Sequence, residues 1–557
     1  MKLSIGKCTW FFSLGVLMMN CKADPTIETI GQWESYEISF EAANAYENPY
    51  TGVDMYALFT DETGITHKRP AFWDGDKVWK IRFAPPEANR TYSWETFANV
   101  QDPGLVGKNG TLFSSPYRGN NRLIQKGFLT VSEGKRNIIH RDGSPFLLVG
   151  DTPWALPFRG TVESVGIYAK DRQKKGFNAT LLMTVQPDQE AEGPDSRTED
   201  YGFGRGFHDL KDGHLNELNP GYFQLLDKLL GILHDHEIVP VLQPVFQGFG
   251  WKGKNVLGNK AVPEEYVRYT KYLLARYGAM PVMYLVSADG HGKEPGIKET
   301  GEMLLEWDAY GQPRGIHYNP FDEAPPSGYT GDPDRFPKHG NKSYQAEEWL
   351  DFQWCQTGHG GEHILHKVEK MYHNTPTKAA ANGEPTYERI GNPDKATGWW
   401  QGHEAWSQWT SGGTMGVVYG AAGLWNWKLR TEEPGFDAWS TTNASWEEAT
   451  AFEGSKFPGL FGKSLEGYDI TDIELSNQGN DRQKVLQKGD SLYVAYLPEG
   501  GKLQLGGVRK DLPVVFLDPK TGERKDQGNS SEEETKSYDL PQGEPWVVII
   551  GEKSATP

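Results

Sequence analysis

Cysteine is nearly absent: Cys8, Cys21 and Cys355 are the only three, and Cys8 lies in a hydrophobic leader. No disulfide framework can form, so stability must come from packed cores. Cys355, close to Phe352 and Trp354, reads as a small buried hydrophobe rather than a nucleophile. Basic stripes are also missing. With 57 Lys and Arg against 75 Asp and Glu, the formal net charge is -18, which excludes a polyanionic nucleic acid as partner and argues mildly against a densely sulfated ligand. No Gly-rich phosphate loop follows an early strand pattern, which disfavours a doubly wound nucleotide-binding sheet. No histidine pair has metal-ligand spacing with a carboxylate, and neither a metal nor another cofactor is expected. No long polar or low-complexity tract interrupts the chain.

The N-terminus has the marks of an export signal. Lys2 and Lys7 precede an apolar run from Trp10 to Met19, followed by Asn20-Cys21-Lys22-Ala23-Asp24, too short to span a membrane as a mature helix. Two endings fit: cleavage after Ala23, giving a signal over 1–23, or a lipobox-like site that leaves Cys21 lipidated as the only membrane contact. The expected location is the periplasm, the cell surface or the medium.

Aromatic residues are plentiful, with Trp 19, Tyr 25 and Phe 25. Part of this serves cores. The rest suits sugar rings, whose C–H faces stack on indole and phenol. Over 24–118, short β-rich runs such as Asp54 to Phe59 and Val78 to Phe83 alternate with turn residues, predicting a β-sandwich. From 119 to 456, apolar strands alternate with amphipathic helices, which predicts a (β/α)8 barrel. Strands are expected at Pro145–Gly150, Phe177–Val185, Ile238–Pro244, Pro281–Ser287, Gly315–Tyr318, Trp349–Gln356, Ala379–Asn382 and within Thr414–Trp425. A second small β-sandwich fills 457–557. The fold class is therefore multidomain, a TIM barrel between two all-β domains.

Catalytic groups of such barrels gather where strands end. The candidates there are Asp151, Gln186, Gln243, Asp289, Asp351, His359, Glu384 and Tyr419. Cleavage of a glycosidic bond needs one carboxyl kept protonated and another kept ionised. Asp289 in Ser-Ala-Asp-Gly-His-Gly and Glu384 in Asn-Gly-Glu-Pro-Thr-Tyr-Glu each follow an apolar stretch and a small residue, and they can supply these two roles. The alternative for an Asp-Gly pair is a plain turn.

Several motifs sharpen this. Gly150-Asp151-Thr152-Pro153-Trp154, Lys175-Gly176-Phe177-Asn178, Trp349-Leu350-Asp351-Phe352, Gln356-Thr357-Gly358-His359, Asn382 to Glu388 and Val418-Tyr419-Gly420 resemble, in order over roughly 119–455, the barrel of the apiosidase-like glycoside hydrolases (DUF4038 type). The flanks resemble its usual partners, a DUF5060-like sandwich with Asn48-Pro49-Tyr50 and Phe72-Trp73-Asp74-Gly75, and a collagen-binding-like β-domain. The resemblance implies a retaining hydrolase of plant or algal cell-wall polysaccharide or its oligosaccharides, with Asp289 as acid/base and Glu384 as nucleophile. One departure is Ser287-Ala288-Asp289, where many relatives have Gly-Gly before the carboxylate; a changed subsite shape is expected. A noncatalytic glycan-binding protein on a degenerate barrel is the competing reading.

Further substrate-binding candidates carry bland alternatives. Asp151 and Trp154 could meet sugar hydroxyls and a ring face, or Asp151 could cap the next helix. Glu388 could tune Glu384 or form an ion pair with Arg389. His291 and His359 could donate to hydroxyls or be satisfied structurally. Trp251 and Trp425 could be stacking platforms or packing.

Overall fold

The computed structural model describes residues 27–187, 204–248, 256–290, 292–319, 342–359, 365–390, 396–432, 444–480, 483–531 and 535–554. The N-terminal segment read as an export signal, with Cys21 and Ala23, lies outside them. Among the described residues, no helix is long and apolar enough to cross a membrane.

Eight short apolar segments form a parallel barrel: β1 Leu148–Asp151, β2 Ala179–Met183, β3 Val239–Gln243, β4 Met283–Gly290, β5 Arg314–Tyr318, β6 Phe352–Gln356, β7 Ala379–Glu384 and β8 Gly416–Tyr419. They pair in sequence order, and β8 returns beside β1. Across the remaining seam the Met415 amide donates to the Ala380 carbonyl at 3.1 Å. Near-continuous apolar strands are what a parallel sheet covered on both faces demands. Two of them run further than sequence patterning suggests, since β4 reaches Gly290 and β7 reaches Glu384. The carboxyls at 289 and 384 are thus held by strand backbone rather than by loops.

Helices wrap the barrel, including α1 Val162–Lys175, α2 Pro220–Asp235, α3 Pro263–Tyr277, α4 Ile297–Trp307, α5 Leu365–Tyr372, α6 Trp399–Thr410 and α7 Lys456–Leu465. Their ends are written locally. Thr161 and Ser164 form a capping box on α1, and Gly176, at φ +98°, ends it in the left-handed conformation that a Cβ would disfavour. Pro220 and Pro263 open α2 and α3 where a missing N–H costs nothing. Helix α7, read from sequence as the start of the last domain at 457, packs on the barrel: a Cβ on Gly462 would stand 2.7 Å from Val149 Cγ2. Only beyond it, from Glu474, do the six-stranded and two-stranded sheets of the C-terminal domain begin.

The N-terminal sandwich stacks a five-stranded sheet on a three-stranded one. Met55–Asp61 alternates buried and half-buried residues, and Phe59 stacks on Phe83 at 4.1 Å between ring centroids. A charged network fastens this domain to the barrel. Arg276 binds Asp227 at 2.7 Å, Asp74 at 2.8 Å and the Tyr272 hydroxyl at 2.9 Å, while Arg82 binds Asp227 at 2.7 Å and the Arg276 carbonyl at 2.6 Å. Charges removed from water need such complete pairing, so the two domains hold one fixed relation.

Candidate active site

Both carboxyls sit at irregularities of the barrel wall. Pairing between β4 and β5 shifts between Leu285 and Ser287 and again between Ala288 and Gly290, and Asp289 takes a φ of +59°. Pairing between β6 and β7 shifts so that Gln356 stands opposite Glu384 rather than Gly383. A bulge re-aims the side chain that follows it, and strained backbone of this kind persists only where its surroundings hold it. They do. Gln247 Oε1 accepts the Ala288 amide at 3.0 Å, and Gln243 Nε2 donates to the Ala288 carbonyl at 3.2 Å. On the other strand, Asn382 Oδ1 accepts the Glu384 amide at 3.3 Å. Gly383 must lack a side chain, because a Cβ there would lie 2.8 Å from the Trp354 ring and 3.0 Å from His317 Cδ2. Gly248 likewise makes room for Asp289, with its virtual Cβ 2.2 Å from Oδ2.

The environments of the two acids differ in sign. Burial, then the charges of Glu384 and Glu294, push the Asp289 carboxyl well above its ordinary range, and its Oδ1 is buried with no hydrogen-bond partner among the described residues. Glu384 is also buried, which opposes its ionisation, yet its pKa is held below the ordinary value, with the hydrogen bonds from His359 and Tyr387 among the causes. His359 Nε2 lies 3.0 Å from Glu384 Oε1, and its Nδ1 accepts the Tyr387 amide at 3.3 Å. The ring hydrogen therefore sits on Nε2 and points at the carboxylate. Replacing His359 with alanine is expected to lower kcat/KM about 10- to 100-fold, the worth of a hydrogen bond to a charged group, and to move the acidic limb of the pH profile upward as Glu384 regains a higher pKa.

Several buried polar groups at or near strand ends are left unsatisfied. Gln186 Oε1, Gln243 Oε1 and Gln356 Oε1, at or just past the ends of β2, β3 and β6, are buried without partners among the described residues. So are both ring nitrogens of His317 on β5, whose Nε2 is 3.7 Å from Glu384 Oε2. Burial lowers the His317 pKa to about 4, so the ring is neutral near pH 7. Buried polar groups are seldom left unpaired without cause; four acceptor oxygens, counting Asp289 Oδ1, and one neutral imidazole suit a ligand rich in hydroxyls. Among the described residues no group of three or more His, Cys, Asp or Glu is placed to hold a metal.

A family model described as the apiosidase-like catalytic domain matches residues 132–472, more than half of the chain. The chain belongs to the apiosidase-like family. A second model, a domain of unknown function (DUF5060), matches residues 29–99. Solved structures similar to this apiosidase-like chain include a glycoside hydrolase family 5 protein from Bacteroides vulgatus, 19% identical, covering 77% of this chain and 94% of its own with a TM-score of 0.61. A candidate glycoside hydrolase from the same organism is 16% identical and covers 94% of this chain and 100% of its own at a TM-score of 0.68. At these identities the likeness concerns the fold. No curated protein matches.

In the apiosidase-like barrel several residues read from sequence as sugar contacts are committed elsewhere. Asp151 is fully buried: Arg172 Nε lies 2.5 Å and the Tyr168 hydroxyl 2.9 Å from Oδ2, and Oδ1 accepts the Thr152 amide at 2.9 Å. It points out of the barrel toward α1. Alanine at 151 would strand the buried Arg172, so a loss of about 3–5 kcal/mol in chemical denaturation is expected. Asp351 precedes β6 and holds Arg314 at the start of β5 through a 3.0 Å bond from its amide, at the opposite end of the barrel from Glu384. Glu388 and Tyr419 satisfy each other at 2.6 Å, and the Gly398 and Gly454 amides take Glu388's other oxygen at 3.0 Å each. Trp154 is 3% exposed; it donates to the Tyr387 hydroxyl at 2.8 Å and stacks on His317 at 5.9 Å, which ties it to two neighbours of Glu384. Trp425 is 7% exposed and packed after β8. Trp251 and His291 lie outside the described residues.

Sequence reasoning missed His317, Tyr387 and Glu404. Glu404, on α6, is pushed up to about 8 by burial and accepts the Thr386 amide at 3.4 Å, two residues past Glu384. Position 317 gave a usable signal, a lone His ending an apolar strand, but nothing in the sequence sets it against Glu384.

Proposed function

We propose that the protein is a retaining glycoside hydrolase of plant or algal cell-wall polysaccharide or its oligosaccharides. The observation that carries hydrolysis is the split environment of one carboxyl pair, with Asp289 kept protonated and Glu384 kept ionised at strand ends; retention rests on the motif resemblance. Asp289 gives its proton to the glycosidic oxygen as Glu384 attacks the anomeric carbon, which forms a glycosyl ester and frees the leaving group. Asp289, now a carboxylate, takes a proton from water, whose oxygen displaces Glu384 and regenerates both groups. The raised affinity of Asp289 for a proton serves the first step and the lowered one of Glu384 the attack. The unsatisfied acceptors favour a polyhydroxyl ligand, the motif resemblance favours a cell-wall glycan, and the N-terminal leader supports export to where such glycans are met.

The test is a screen of soluble plant and algal glycans for new reducing ends, followed by proton NMR of the first product formed. Retention of the anomeric configuration is expected. Early appearance of the opposite anomer would overturn the mechanism, and glycan binding without any new reducing end would favour a barrel that only binds.

A further inference from the structure

A groove of about 580 Å³ runs between the N-terminal sandwich and helix α3, within the size range of small-ligand sites and at a domain junction, where such sites concentrate. Its aromatic wall includes Trp73 and Tyr272, and its rim carries Thr51, Asp54, Glu264 and Lys271. The Trp73 indole N–H is already given to the Asp76 carbonyl at 3.0 Å, so the ring has a face to offer and no free donor edge. Lys271 Nζ is held by both oxygens of Asp54 at 2.8 Å each, and Arg268, the other cation of the lining, donates to Asn216 Oδ1 and lies over the Tyr50 ring at 5.4 Å, so with Glu264 and Glu299 the lining is acidic by one charge. Exposed Glu264 remains as a hydrogen-bond acceptor. A half-exposed aromatic face beside neutralised and acidic polar groups fits a neutral polyhydroxyl chain and repels a polyanion.

The groove is preformed, because its walls come from two domains locked by the Arg276 network. Along the chain it is linked to β4 through α4. From Asp289 the chain passes Gly296, whose virtual Cβ would be 3.1 Å from Pro263 Cα, and enters α4, where Glu299 joins the groove's lining. We propose that this groove is a second glycan site, taking a segment of the neutral polysaccharide whose cleavage is assigned to the barrel. The proposal rests on that assignment for its ligand class.

The experiment is native affinity electrophoresis of the full chain carrying Glu384→Gln, in gels containing xyloglucan, arabinoxylan or laminarin. At least one polysaccharide is expected to retard it. Adding Trp73→Ala, or Thr51→Trp, which fills the groove from an exposed position and leaves the packing beneath Trp73 intact, is expected to weaken the retardation about fivefold, the scale of one lost aromatic contact. In the otherwise wild-type chain, Thr51→Trp should leave kcat and KM on a short aryl glycoside unchanged and raise KM on the polymer. Retardation by none of the three, or retardation that Thr51→Trp does not change, overturns the proposal. Groove-dependent retardation in a protein that releases no reducing ends would overturn the assigned hydrolysis and leave the second site standing.

Discussion

Replacing Glu384 with glutamine is expected to lower kcat/KM by roughly 10⁴- to 10⁶-fold, because the proposed mechanism forms its covalent intermediate on this carboxylate. The substitution is close to isosteric. An amide oxygen can still accept from His359 Nε2, now 3.0 Å from Oε1, so circular dichroism and thermal midpoint should stay near wild type. Loss of activity with an intact fold therefore speaks to chemistry and not to packing. A smaller residue extends the test: Glu384→Gly with azide should yield a glycosyl azide of inverted configuration, since azide then attacks from the carboxylate's own side. A variant that kept more than about a tenth of wild-type activity would remove Glu384 from the mechanism.

Asp289→Asn is expected to cost roughly 10²- to 10⁴-fold on natural glycans, and far less on substrates whose leaving group needs no proton. Azide should rescue it with retained configuration, because the glycosyl-enzyme still forms. The pH profile carries the sign. The proposed mechanism requires Asp289 protonated and Glu384 ionised, so the wild-type rate should fall as pH drops through the depressed value of Glu384 and fall again as pH rises through the elevated value of Asp289. The asparagine variant should lose the alkaline limb alone. Stability follows the same linkage. A carboxyl whose folded pKa is raised contributes fully below its unfolded value and loses that contribution as pH climbs toward the folded one. The variant has no such loss, so its thermal midpoint should exceed that of wild type by a margin that grows from about pH 4 upward. An unchanged alkaline limb would refute the role of Asp289 as acid/base.

The sequence by itself determined the barrel and the candidate pair. Apolar strands of parallel-sheet character followed by amphipathic helices admit few other folds, and strand ends rich in polar residues mark one face of a barrel. What patterning did not reveal was direction. Along a strand successive side chains alternate between the barrel interior and the helices outside, and a single extra residue reverses the order. The shifts at Ala288/Gly290 and at Gly383 leave no trace in composition, yet they help aim Asp289 and Glu384. Asp151, equally polar and equally terminal, points outward to Arg172 and is scaffold, while Glu388 is claimed by Tyr419 and two glycine amides. His317 lies 67 residues before Glu384 in sequence (384 − 317) and 3.7 Å from it in space. Opposite proton affinities for the two carboxyls arise from burial and the charge of Glu384 at Asp289 and from the hydrogen bond of His359 at Glu384, all set by long-range packing. Only the tertiary structure could decide them.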